Sequence, residues 1–348
     1  MSFKRFDAED VVVSAESIST PVWSGNKTTL TGFFTSSTQV GGASGDYYYN
    51  IYQTSASLED ARVQFSLAYG HKKGSGSLYF NPTVPGKSPS STIYGQYRSL
   101  ILGDEDSDFV FGGVASEHFY AVSINRARFK EKLLPGTFTL TLAHSASNGQ
   151  TYVKTITDNS KVASTVTFTD AGRVYELVSG SLGQVNTSLN NTGYTINNGS
   201  YGKLLPDVGV ILLNAKALGA SPVSGGLRLE ANEGFNQSIY SGSKNNLQQG
   251  FDLFARGGSF RIQSEETIAS NFVFVRARNS EFNYSSNPSL ITGSGELRHD
   301  VMINSPQSYI TSVGLYNDNN DLLAIAKLSR PLLKDFTKEA LVRVKLDY

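Results

Sequence analysis

The last seven residues, from Val342 to Tyr348, alternate apolar and charged side chains. Val342, Val344, Leu346 and Tyr348 fall on one face; Arg343, Lys345 and Asp347 fall on the other. Period two is the pattern of a half-buried strand. Such a strand needs a paired neighbour, since unpaired termini fray. The expectation is therefore a closing strand stitched into a sheet, which ties the end of the chain to residues well upstream.

The same alternation recurs throughout. Residues 62–69 place Val63, Phe65, Leu67 and Tyr69 on one side, and further strands are expected at 10–15, 119–124 and 137–142. Residues 150–180 read as hairpins with turns at 157–160 and 169–172. The run from Pro206 to Leu218 is a strand or strand and turn with the most apolar core of the chain. Residues 81–103, with three of the ten prolines, read as a long loop entering a strand at 97–102. The best helix candidate has Leu247, Phe251 and Phe254 at helical spacing and Gly257 as its stop.

Near the end, 271–278 is an expected strand with Phe272, Phe274, Arg276 and Arg278 on one face. A hairpin of 309–316 with 322–328 is closed by the polar run 317–321. Pro331 is expected to end that strand, and a short helical turn is expected at 334–340. The fold class is mainly β: two or three β-sandwich-like domains with few short helices and a C-terminal β-module ending in a paired strand. The expected division is a β-rich part at 1–180, a Gly/Asn-rich linker and middle segment with a short helix at 181–259, and a docking module at 260–348.

Composition narrows the function. Thirty basic and thirty acidic residues give a net charge of zero, which argues against a nucleic-acid partner. Charged residues make up only 17%, so Ser, Thr, Asn and Gly carry the polarity, beside 18 Tyr and 20 Phe. That balance suits short strands and surfaces that pack on other proteins. Without cysteine there is no disulfide, thiolate metal site or cysteine nucleophile. The first residues lack a signal-peptide core, and no apolar run approaches a membrane span, so membrane insertion is not expected.

No reaction machinery stands out, and neither a cofactor nor a metal is expected. His71, His118, His144 and His299 are scattered. Asp104, Asp106 and Asp108 copy the first ligands of a calcium loop, but Phe109 stands where glycine is required and Ala115 where glutamate belongs. The adjacent acids Glu265/Glu266 and Glu59/Asp60 point to opposite faces of a strand, so neither pair forms a dyad. The expectation is a protein that is not an enzyme.

Candidate contact residues follow. Arg126, Arg128 and Lys130 with Phe129 form the strongest basic cluster, suited to a protein contact. Arg276 and Arg278 with the loop aromatics Phe282 and Tyr284 are a second candidate interface, the alternative being that both arginines pair with Glu265, Glu266 or Glu281. Tyr47, Tyr49 and Tyr52 form a candidate aromatic surface for sugars or a partner, against the plainer reading of cross-strand packing. Trp23 reads as a packing anchor.

Several stretches also resemble one group of proteins. YGKLLPDVGVILLNAKAL, SEETIASNFVFVRARNSEFNYSSNP and the run from Ile310 to Tyr348 resemble virion structural proteins of contractile-tailed bacteriophages, especially those infecting marine cyanobacteria. SFKRFDAEDVVVS and INRARFKEKLLPGTFTLTL resemble the same group, and together these stretches cover about half the chain. The hairpin from Gly314-Leu315-Tyr316 to Leu322-Leu323-Ala324 is also similar to the segment by which tail fibres attach to baseplates. The resemblance implies a tail component, a baseplate protein of wedge type, made in the host cytoplasm and present in several copies in a symmetric assembly. Its partners would be other tail and baseplate proteins, with tail fibres a further one. The alternatives are a host-surface or glycan-binding adhesin module and, behind it, a carbohydrate-degrading tail enzyme.

Overall fold

The computed structural model describes residues 4–35, 47–76, 88–146, 149–229 and 246–347. The glycine run at 41–45, the 81–87 part of the expected long loop, and Tyr348 lie outside them.

The protein is mainly β. In chain order the first strands are β1 (Val11–Pro21), β2 (Thr29–Leu30), β3 (Phe34–Thr35), β4 (Tyr49–Tyr52), β5 (Val63–His71), β6 (Val110–Phe111) and β7 (Val114–Ala115). Next come β8 (His118–Ile124), β9 (Lys132–Leu133), β10 (Thr139–Ser145), β11 (Thr151–Asp158), β12 (Thr167–Thr169), β13 (Gly172–Ser181) and β14 (Gln184–Val185). The last are β15 (Gly202–Leu205), β16 (Val210–Asn214), β17 (Ser259–Arg261), β18 (Gln263–Ala277), β19 (Gln307–Tyr316), β20 (Leu322–Asp335) and β21 (Ala340–Asp347). They divide between two compact units, residues 18–266 and residues 1–17 with 267–348.

In the larger unit one 13-stranded sheet runs β2-β17-β10-β11-β13-β15-β16-β8-β5-β4-β3, with β12 and β14 attached to β13. Only residues 31–33 separate the two end strands, a link spanning at most about 14 Å, so the sheet curls back on itself. Alternation then sorts side chains between two faces. Phe65, Leu67 and Tyr69 of β5 join Tyr120, Val122 and Ile124 of β8 and Ile211 and Leu213 of β16 in one core. Ala68, Phe119, Ala121, Val210 and Leu212, the intervening residues, build a second core on the opposite face.

Trp23 anchors the first core, as its sequence reading anticipates. Its indole donates from Nε1 to the Phe260 carbonyl at 2.8 Å, and its ring packs on Phe65 and Phe260. The helix Asn246–Ala255 adds Leu247, Leu253 and Phe254 to the same core, where the helical spacing predicts it. Gly250 in that helix has a packing reason: a Cβ there would lie 2.6 Å from the Tyr120 ring.

The second core is capped by a helix the sequence reading misses. Residues 89–102, expected as loop and strand, form α1 (Pro89–Leu102). Pro89 opens it, Ser88 and Ser91 make a reciprocal capping box, and Gly103 closes it in the left-handed conformation. Ile93, Tyr94, Tyr97 and Ile101 recur at helical spacing and are buried against the sheet.

The Gly/Asn-rich tract after residue 181 is likewise built in. Asn186 and Asn190 turn the chain by accepting from the Ser188 and Thr192 amides. Thr195, Ser200 and Tyr201 are buried, and β15 and β16 follow in the middle of the large sheet. Asn214 holds the tract down by donating from Nδ2 to the Asn198 and Ser200 carbonyls, both at 2.9 Å.

In the smaller unit β21 pairs antiparallel with β18, from Ser270 opposite Asp347 to Ala277 opposite Ala340. This is the paired closing strand that the alternation predicts. β1 flanks β18 on its other side, and β19 and β20 form a separate hairpin. Val273, Val344 and Leu315 make a small core, with Val275, Val342, Val313 and Ala326 packed around it. Two expectations near the end fail. β20 runs on through Pro331, because the proline falls in an irregular stretch of the ladder between Lys327 and Leu332, where its missing N–H costs nothing. The helical turn expected at 334–340 does not form: Lys334 and Asp335 still belong to β20.

Candidate functional site

The strongest candidate is the loop that follows β18 in the smaller unit, residues 279–284, because the fold holds it in place from several sides. Lys334 is fully buried, and its ammonium donates to the Asn279 carbonyl at 3.0 Å, the Asn283 Oδ1 at 2.7 Å and the Asp335 carbonyl at 3.0 Å. All three protons are therefore used. Ser308, directly opposite Lys334 on β19, donates from its hydroxyl to the Phe282 carbonyl. The Glu281 carboxylate accepts from the Arg278 amide at 2.8 Å and from the Lys4 ammonium at 3.1 Å. Those two donors, the amide first, hold the Glu281 pKa below the usual carboxylate range. Lys4 also donates to the Arg276 carbonyl at 2.6 Å.

The braced loop displays its apolar side chains. Phe282 sits at φ +56° and is 37% exposed; Tyr284 is 55% exposed. Arg276 and Arg278 are exposed, and among the described residues neither guanidinium makes a hydrogen bond or ion pair. Glu281, offered in the sequence as their partner, accepts from the Arg278 amide and Lys4, and the Arg278 charge acts on it only through space; Glu265 and Glu266 pair with Lys132 and Lys130. The structure therefore brings all four sequence-predicted residues of this candidate to one end of β18. Along that strand, Phe272 and Phe274 stand opposite Lys345 and Arg343, whose cations lie over the Phe272 ring at 5.8 and 5.4 Å.

The basic cluster of the larger unit is engaged within its own fold. Arg126 stacks 4.6 Å over the Phe129 ring and donates to the Phe129 carbonyl, while Arg128 donates to the Ser24 hydroxyl at 2.6 Å. Phe129 is buried under Gly209, where a Cβ would come within 2.6 Å of its ring. Lys130, more exposed, pairs with Glu266 at 2.6 Å.

The tyrosines separate by face. Tyr49 is buried in the first core and Tyr47 is exposed, with Tyr52 between these extremes, so the three do not form one aromatic surface. Tyr48 turns to the opposite face, where its hydroxyl donates to Gln96 of α1 at 2.7 Å. The acidic turn is self-contained: Asp104 accepts from the Asp106 and Ser107 amides, and Asp108 pairs with Lys72. Among the described residues no group of three or more His, Asp or Glu could hold a metal ion, and no helix is long and apolar enough to cross a membrane.

Two of the scattered histidines meet. His71 and His118 stand opposite each other on β5 and β8, ring centroids 5.7 Å apart. The Lys73 amide donates to His71 Nδ1 at 3.0 Å, and the Tyr69 hydroxyl shares a hydrogen bond with His118 Nδ1 at 3.1 Å. Burial depresses both pKa values, with Lys73 adding to and Glu117 opposing the effect at His71, and with His71 and Lys216 adding to it at His118. They fall to about 4 for His71 and about 3 for His118. In the unfolded chain both titrate near 6.5, so on acidification the unfolded state takes up protons first. Stability is thus fully present above pH about 6.5 and is lost as pH falls toward the two folded values. Urea unfolding at pH 5 is expected to show about 4 kcal/mol less stability than at pH 8 from these two sites, about 2 kcal/mol from each. A His71→Gln/His118→Gln protein should lose most of that difference.

Comparisons with protein-family models, with curated proteins and with solved structures return no match for this chain. Function must therefore be read from the residues. Sequence reasoning finds the loop aromatics and both arginines but misses Lys334, Lys4 and Ser308, which fix the loop. Nothing in the local pattern marks a lysine for burial. The one available signal is its position two residues after Leu332, on the same face of a strand.

Proposed function

We propose that this chain is a structural component of a bacteriophage tail, acting in the baseplate through protein–protein contacts and without catalysis. The sequence resemblance supplies the setting. The observation that carries the reading is the braced loop after β18, which displays Phe282 and Tyr284 beside two exposed arginines with no hydrogen bond or ion pair among the described residues. Aromatic and arginine side chains dominate the energetics of protein interfaces, and a loop fixed beforehand loses little freedom on binding. In this reading the partners are other tail proteins, tail fibres among them, and several copies take part in one symmetric assembly.

Arg276→Ala/Arg278→Ala tests the contact. Both side chains are exposed and neither guanidinium makes a hydrogen bond or ion pair among the described residues, so the variant should keep its stability to within about 0.5 kcal/mol. Complete, sedimentable tails should nevertheless fall about tenfold or more when it replaces the natural protein. A stable variant that assembles at the normal yield removes these arginines from the interface.

A further inference from the structure

The second-core face of the large sheet changes character along its strands. Ala68 of β5, Ala121 of β8 and Leu212 of β16 are buried in that core. Two residues nearer the other end of each strand, the row becomes Asn50, Ser66, Ser123 and Val210, registered directly across β4, β5, β8 and β16. Beside this row α1 contributes Gln96, Ser99 and Leu100 to an open groove, and Tyr48 stands at its β4 side. From these positions we propose that the groove is a binding site for a neutral saccharide, with Asn50, Ser66 and Ser123 as its floor.

The chemistry disfavours charged and purely apolar ligands. No Asp, Glu, Lys or Arg lines the groove among the described residues, so a charged ligand would give up hydration without gaining a counter-charge. An apolar ligand would cover amides and hydroxyls and leave them unmatched. The internal hydrogen bonds leave defined donors. The Ser66 hydroxyl donates to Asn50 Oδ1 at 2.8 Å and the Tyr48 hydroxyl to Gln96 Oε1 at 2.7 Å, which leaves both carboxamide N–H groups for ligand oxygens. The Ser99 and Ser123 hydroxyls can donate or accept. Tyr48, Leu100 and the partly exposed Val208 supply apolar surface for the C–H face of a sugar ring. Burial raises the pKa of the Tyr48 and Tyr97 phenols, so both keep their protons and the groove stays uncharged through the physiological range.

The test is titration calorimetry of the full chain with maltotriose, cellotriose and tri-N-acetylchitotriose, with trigalacturonate as the charged control. At least one neutral trisaccharide should bind with a Kd below about 10 mM, and trigalacturonate should not. Ser66→Val/Ser123→Val should weaken that binding about tenfold or more. Asn50→Ala, at the exposed end of the row, should weaken it too, and it serves where the double variant does not fold. The proposal is overturned if no neutral probe binds below that concentration, if trigalacturonate binds as well, or if folded variants bind like the natural protein.

Discussion

Phe65→Ala is expected to lower the stability of the larger unit by about 4 kcal/mol. Phe65 is fully buried, and its ring centroid lies 5.3 Å from that of Phe254, 5.6 Å from Phe260 and 6.2 Å from both Trp23 and Phe33. Those partners come from the segment before β2, from β17, from the link between the end strands, and from the helix Asn246–Ala255. Removing the ring therefore opens a cavity where the two ends of the curled sheet and the helix share one core. Collapse around it is restricted, because each neighbour is held by its own strand or helix. Phe65→Leu, which keeps much of the volume, should cost about 1.5 kcal/mol. Trp23 is the sole tryptophan and touches Phe65, so urea unfolding followed by its fluorescence reads the change directly.

Lys334→Met should destabilise the smaller unit by about 3 kcal/mol and free its loop. Methionine keeps the length and the apolar stem but donates nothing. The Asn279 and Asp335 carbonyls and the Asn283 Oδ1 would each lose a charge-assisted donor. The loss matters more here than in a large core, because among the described residues this unit's apolar cluster has just three buried members, Val273, Leu315 and Val344. Amide hydrogen exchange is the appropriate readout. Protection of residues 278–284 should fall sharply, while the strands β5, β8 and β16 of the larger unit keep theirs. Equal loss of protection in both units would contradict a local bracing role for Lys334.

Much of the strand pattern was legible because alternation is a direct consequence of one buried face. The β5 face of Phe65, Leu67 and Tyr69, the hairpin β19–β20 and the closing strand β21 all formed as the period predicts. The helix α1 was not legible in the same way. Its buried positions, Ile93, Tyr94, Tyr97 and Ile101, lie among β-branched and aromatic residues and a mid-helix glycine, and these weaken the helical signal locally. Gly95 is tolerated because it faces open space. The decisive cues were the caps, Ser88-Pro89 and Gly103, which state where a helix begins and ends without regard to propensity.

The candidate site shows the same division. Arg276, Phe282 and Tyr284 were visible as residue types suited to an interface, following an apolar strand. What makes them a site is a set of long-range bonds: Lys334 to Asn279, Lys4 to Glu281, and Ser308 to Phe282. These link positions tens to hundreds of residues apart, so no local period could reveal them. His71 and His118 make the same point: they are remote in the chain and adjacent only because β5 pairs with β8 in that register.

The most direct measurement is localisation on intact particles with a gold-labelled antibody raised against the full chain. A structural role in the baseplate predicts label at the distal end of the tail, in several copies related by the symmetry of the particle. Purified, complete particles that lack the chain, while infected cells contain it, would contradict that role.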